Sequence, residues 1–138
     1  QRALQAWQEE LEFSAFINEV SRSLKDLYGR DIAEEEKLKL REKIFFQSKK
    51  EWSRRIAKQP AHRFRGFGQQ EINNAVIAHY LLYFKDLQLF ESLYQAEGKD
   101  LARVVESIIQ SIPNGEDPFD TVRELVSKKS RPARPPSR

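Results

Sequence analysis

Apolar residues recur at Leu4, Trp7, Leu11, Phe16, Ile17, Val20, Leu24, Leu27 and Tyr28, the three-to-four spacing of one face of an α-helix. The spacing predicts a long amphipathic helix that stops at Gly29, a residue able to take the left-handed conformation of a C-cap. Asp31, with Glu34 three residues on, reads as the capping box of a second helix. Glu34, Glu35 and Glu36 fall in its first turn, where carboxylates face the positive end of the helix dipole, so the acidic run needs no metal to explain it. The second helix continues through Leu38, Ile44, Phe45, Phe46, Trp52 and Ile56, with Lys and Arg on its other face, and is over by Pro60. Two long helices joined by so short a connection run antiparallel.

Residues 58 to 70 break the pattern with Pro60, Gly66 and Gly68, while Arg63, Phe64, Arg65 and Phe67 alternate basic and aromatic. Such a loop could stack on bases, but it matches no phosphate-loop spacing. The most apolar stretch follows, Ile72 to Tyr94, apolar around most of its circumference. It therefore reads as one helix, either central in its domain or packed on something outside this chain. Gly98 ends it, and Asp100 caps a fourth helix carried by Leu101, Val104, Val105, Ile108 and Ile112. Pro113-Asn114-Gly115 reads as a turn, and Asp117-Pro118 places an N-cap before a proline at the first position of a short fifth helix, Phe119 to Val126. No window alternates well enough for a strand. The expected fold is all-α, a bundle-like array of four to five helices over residues 1–126, followed by a disordered basic tail over 127–138.

Composition refines this in one place. The net charge of +3 comes from the tail, where Lys128, Lys129, Arg131, Arg134 and Arg138 stand without an acid, leaving 19 basic against 21 acidic residues in the body. The tail also holds three prolines, a composition that cannot build a packed core. A near-neutral body disfavours nucleic acid as a partner. The 138 residues, 39% hydrophobic with a mean hydropathy of -0.71, suffice for one modest core. No run is long and apolar enough for a membrane span, and residues 1 to 28 do not look like a signal peptide. Gln1 opens inside a helical pattern and there is no Met, so the sequence is expected to be an excerpt whose missing piece is N-terminal.

Candidate chemistry is sparse. With no Cys there is no thiolate ligand or cysteine nucleophile. His62 and His79 stand 17 residues apart with a loop between them, and neither has a second His or a carboxylate at ligand spacing on its own helix. No Ser sits in a Gly-x-Ser-x-Gly elbow. The feature that stands out is Asn73-Asn74-Ala75 at the start of the apolar helix. One Asn can cap the helix. The second can offer its amide to a ligand's backbone, at a helix end that already favours carboxylates.

The order of these features resembles the C-terminal half of the bacterial putative aminopeptidase family. The resemblance rests on a long helix ending in Leu-x-x-Leu-Tyr (Leu24 to Tyr28), a Lys/Arg-rich helix, a Gly-containing loop and Ile72-Asn73-Asn74-Ala75. Tyr80 then stands six residues after Asn74, and the run Phe84-x-x-Leu-x-Leu-Phe-x-x-Leu-Tyr follows up to Gly98. It covers about residues 5 to 110. The resemblance implies a zinc-dependent peptidase with an HExxH motif upstream. This chain has no HExxH, which implies that it is inert alone and that zinc belongs to the full-length protein. Its expected partners are the N-terminal catalytic part of the same polypeptide and a peptide substrate. Asn73, Asn74 and Tyr80 are the residues expected nearest that substrate, with no catalytic residue or metal ligand in the chain. The family also implies a periplasmic or envelope location. The competing reading is a self-contained helical module that binds a partner protein.

Overall fold

The computed structural model describes residues 2–111 and 117–129. Among these the chain is all-α, with helices α1 (Arg2–Tyr28), α2 (Glu34–Arg55), α3 (Asn74–Phe84), α4 (Leu87–Ala96), α5 (Leu101–Ser111) and α6 (Pro118–Lys129), and a 3-10 turn at Arg65–Gly68. None of these helices is long and apolar enough to cross a membrane. The chain forms two compact units, Gln1–Lys85 and Asp86–Arg138.

In the first unit α1 turns Phe13, Phe16, Ile17, Val20 and Leu24 into a core to which α2 adds Phe45 and Trp52, with Ile56 at its C-cap. Each such side chain contributes about 1.5–3 kcal/mol by leaving water. The Arg/Phe loop, Ile72 and Ile77 of α3 supply the rest. Phe67 is fully buried, Phe64 packs on the same cluster, and the Phe64 carbonyl accepts the Trp52 indole N–H at 2.9 Å, satisfying a polar atom that burial would otherwise strand. The alternation of aromatic and basic residues is therefore a core plug whose charges point outward. Arg63 pairs with Glu10, and Arg65 donates to the Pro60 carbonyl at 3.1 Å.

Three local expectations change. Helix α2 begins at Glu34 with Ala33 as its N-cap and no capping side chain, so Asp31 forms no capping box. The first-turn carboxylates instead pair along the helix, Glu34 with Lys37 at 3.2 Å and Glu35 with Lys39 at 2.7 Å. Gly29 takes no left-handed cap, although its N–H reaches the Lys25 carbonyl at 3.0 Å; the left-handed glycine is Gly98, φ 71°. On α2 it is Phe45 that is buried, while Phe46 is 63% exposed.

The apolar stretch expected as one helix over 72–94 is two. Lys85 is extended (φ -67°, ψ 126°) and Asp86 is left-handed (φ 54°), which ends α3 and starts α4. Asp tolerates this conformation better than most residues, and Arg123 from α6 holds its carboxylate at 2.8 Å.

In the second unit Leu93, Val104 and Val122 form a small core with Leu89, Phe90, Ile108 and Leu125 around it. Helix α4 ends in a Schellman arrangement, the Lys99 N–H reaching the Tyr94 carbonyl at 2.9 Å across left-handed Gly98. Asp100 then caps α5 through the Ala102 N–H at 2.9 Å, and Asp117 caps α6 through the Phe119 N–H at 2.9 Å, with Pro118 first in the helix as expected. Buried Glu97 accepts from Ser107 Oγ at 2.5 Å and from Lys129 Nζ at 3.0 Å. The Ser107 hydrogen bond, then Lys129, holds its carboxyl below the ordinary range. That contact carries α6 three residues past Val126, so Ser127 to Lys129 are helical. The rest of the basic tail and the Pro113-Asn114-Gly115 turn lie outside the described residues.

Candidate functional site

The N-terminus of α3 is built by Asn73. Its backbone is extended (φ -144°, ψ 177°), and its side-chain oxygen accepts the Val76 N–H at 3.0 Å while its carbonyl accepts the Ile77 N–H at 3.1 Å. This satisfies one of the amide groups a helix start leaves without a partner. Asn73 is therefore the cap, and Asn74 the first residue of the helix. The two amides are spent differently.

Asn74 points toward the end of α1. Its carboxamide lies 3.0 Å (Oδ1) and 2.7 Å (Nδ2) from the Tyr28 hydroxyl, so the phenol can donate to the oxygen or accept from the nitrogen. Asn73, Asn74 and Tyr28 are all exposed to solvent. Arg41 of α2 is half-buried. Its guanidinium is held above its ordinary range chiefly by Glu42, hydrogen-bonded at 2.8 Å, with a smaller contribution from the phenol of Tyr28. An amide and a phenol on one exposed edge can donate to and accept from a peptide backbone or carboxylate.

Tyr80 lies elsewhere. Its ring meets Phe13 edge-on at 4.9 Å between centroids and Phe67 at 5.7 Å, and its hydroxyl accepts from Gln70 Nε2 at 2.9 Å. The reason is helical geometry: at about 100° per residue, Tyr80 shares the side of Asn73 but is turned roughly 120° from Asn74. The structure thus joins Asn74 to Tyr28 and seats Tyr80 in the aromatic core. Tyr28 was legible in the sequence as the last residue of an apolar face and of the Leu-x-x-Leu-Tyr motif, not as a partner of Asn74.

The histidines are equally divided. His79 is exposed on α3, its ring 5.4 Å from Tyr83. The side chain of His62 is fully buried, edge-on to Trp52 at 5.2 Å, with Nδ1 accepting the Phe64 N–H at 3.2 Å and Nε2 3.8 Å from Glu12. Among the described residues no group of three or more His, Asp or Glu side chains could hold a metal ion. His62 has already committed Nδ1 to a backbone amide and is walled in by aromatic rings, so these residues do not fit a zinc centre.

An all-helical chain, with a capped helix whose exposed start offers amide and phenol groups, defines a helical unit presenting a polar edge. The chain belongs to the putative aminopeptidase family, whose model, described as "Putative aminopeptidase", matches residues 1–116. No curated protein and no solved structure matches it.

Proposed function

We propose that this chain is the C-terminal helical portion of a zinc aminopeptidase, a protein that removes N-terminal residues from peptides. The HExxH zinc site lies in the N-terminal catalytic part of the same polypeptide. On this reading the chain is inert alone; it supports the catalytic part and lines the substrate cleft with the edge at Asn73 and Asn74, while Tyr80 acts from the core behind it. The observation that carries the reading is the family match over residues 1–116, which spans both motifs behind the resemblance. Those motifs meet in space, since Tyr28 closes the Leu-x-x-Leu-Tyr segment and hydrogen-bonds Asn74 of Ile72-Asn73-Asn74-Ala75. A bare apolar surface on α3, where Leu82 is 79% and Tyr83 66% exposed, supports packing against a further part of the protein.

The test is to read the open reading frame upstream of Gln1 for HExxH, express the whole polypeptide with zinc and measure aminoacyl-arylamide hydrolysis. The whole protein should hydrolyse the substrate and lose activity to a chelator, whereas the 138-residue chain should not. An upstream frame without HExxH, or zinc-independent hydrolysis by this chain, overturns the proposal.

A further inference from the structure

His62 is a buried polar side chain with one nitrogen unsatisfied. Its imidazole is fully shielded from solvent, and Nε2 makes no hydrogen bond, the nearest carboxylate oxygen being that of Glu12 at 3.8 Å. Nδ1 accepts the Phe64 N–H at 3.2 Å. A ring nitrogen that accepts carries no proton, so the folded loop selects the neutral tautomer with its hydrogen on Nε2.

The loop depends on that acceptor. Phe64 sits where the chain turns: its ring stacks on Phe13, its carbonyl takes the Trp52 indole N–H at 2.9 Å and the Phe67 N–H at 3.1 Å, and the Arg65 N–H returns to the His62 carbonyl at 3.1 Å. A second proton on His62 turns Nδ1 into a donor facing another donor, so the Phe64 hydrogen bond is lost and both groups are left buried and opposed.

Charged groups approach the ring from two elements. From α1 come Glu12, facing Nε2, with Glu9 and Glu10 on the preceding turn. Glu9, itself buried, accepts the Arg63 N–H at 3.1 Å, and Glu10 pairs with the Arg63 side chain. The loop supplies Arg63, and α2 packs the uncharged Trp52 indole against the ring. Glu12 thus faces the Nε2 side of the ring and the Phe64 amide its Nδ1 side.

We infer that His62 is an acid-sensitive latch on the loop that plugs the aromatic core. With His62 neutral the latch holds Phe64; with His62 protonated, the imidazolium turns to Glu12 and the loop from Arg63 to Gly68 loosens.

The test is backbone amide exchange in the whole polypeptide, followed over residues 61–68 between pH 8 and pH 5 and divided by the intrinsic exchange rate at each pH. Protection of this segment should fall roughly tenfold on acidification, as expected for one buried hydrogen bond, while α1 and α2 keep theirs. His62→Asn should abolish the fall, because the Asn oxygen can accept the Phe64 N–H in the same two-residue turn but does not titrate. A pH-independent wild type, or an unchanged fall in His62→Asn, overturns the latch. Should His62→Asn fail to fold, nitrogen NMR of the wild-type imidazole decides: formation of the imidazolium with the Phe64 amide still hydrogen-bonded overturns it, and simultaneous loss of that bond supports it.

Discussion

Phe13 lies face to face with Phe64, the ring centroids 4.2 Å apart and the planes within 3° of parallel. The pair ties the middle of α1 to a loop 51 residues further on. Around it Trp52, Phe67, Tyr80 and Phe84 present their edges to Phe13 at 4.9 to 5.6 Å. Edge-to-face contacts of this kind add about 0.5–1.5 kcal/mol each beyond the area they bury.

Phe13 is therefore expected to be the most sensitive core position. Phe13→Ala should cost about 3–5 kcal/mol, measured by urea denaturation, because the surrounding rings cannot collapse into the space. Phe46→Ala, at a site 63% exposed, should stay within about 0.5 kcal/mol.

The two asparagines should separate by experiment. Asn73→Ala removes the cap and should lower stability by about 1 kcal/mol, with Asn73→Ser restoring most of it. Asn74→Ala, which loses only a solvent-exposed bond to Tyr28, should change stability by less than about 0.5 kcal/mol. Under the proposed function, the same Asn74 variant should raise KM of the whole polypeptide roughly fivefold to tenfold, the equivalent of one hydrogen bond to a ligand.

Glu51 predicts an acid limb of stability. Hydrogen bonds from Arg54 and then Arg55, at 2.8 to 2.9 Å, lower its carboxyl from 4.5 to about 2. A group whose folded value is depressed adds stability that is fully present above its unfolded value and is lost as pH falls toward the folded one. Glu51→Gln should therefore flatten the pH dependence of unfolding between about pH 4.5 and pH 2. Because the carboxylate is solvent-exposed, 1 M NaCl should blunt the wild-type response as well.

Gly98 is the glycine with a conformational requirement. At φ 71° a side chain is strained, although a Cβ there would meet nothing within 4 Å. Gly98→Ala should cost about 1–2 kcal/mol in the thermal or urea midpoint, and Gly98→Asn distinctly less, since Asn tolerates the left-handed region.

Much of this was legible along the chain. The three-to-four spacing from Leu4 to Leu27, the punctuation by Gly98 and Asp117-Pro118 and the absence of alternating stretches determine an all-α protein, because helical periodicity is a local property of consecutive residues. The Asn73 cap was legible for the same reason: it bonds within its own first turn. The Leu-x-x-Leu-Tyr and Asn-Asn-Ala motifs sufficed to indicate the family.

Tertiary structure decided the rest. Phe13 was missed because it stands off the apolar series drawn through Leu11 and Phe16, and only the approach of the loop and α3 selects the face on which it lies. The break at Lys85–Asp86 carries no Gly or Pro, and Asp86 is held by Arg123, 37 residues away. His62 reads as an ordinary loop residue until Trp52, Phe64 and Glu12, from three parts of the chain, close around it. Local sequence sets which helices form and where they are capped. Which of their faces are buried, and which polar groups are enclosed with them, depends on partners far apart in the chain.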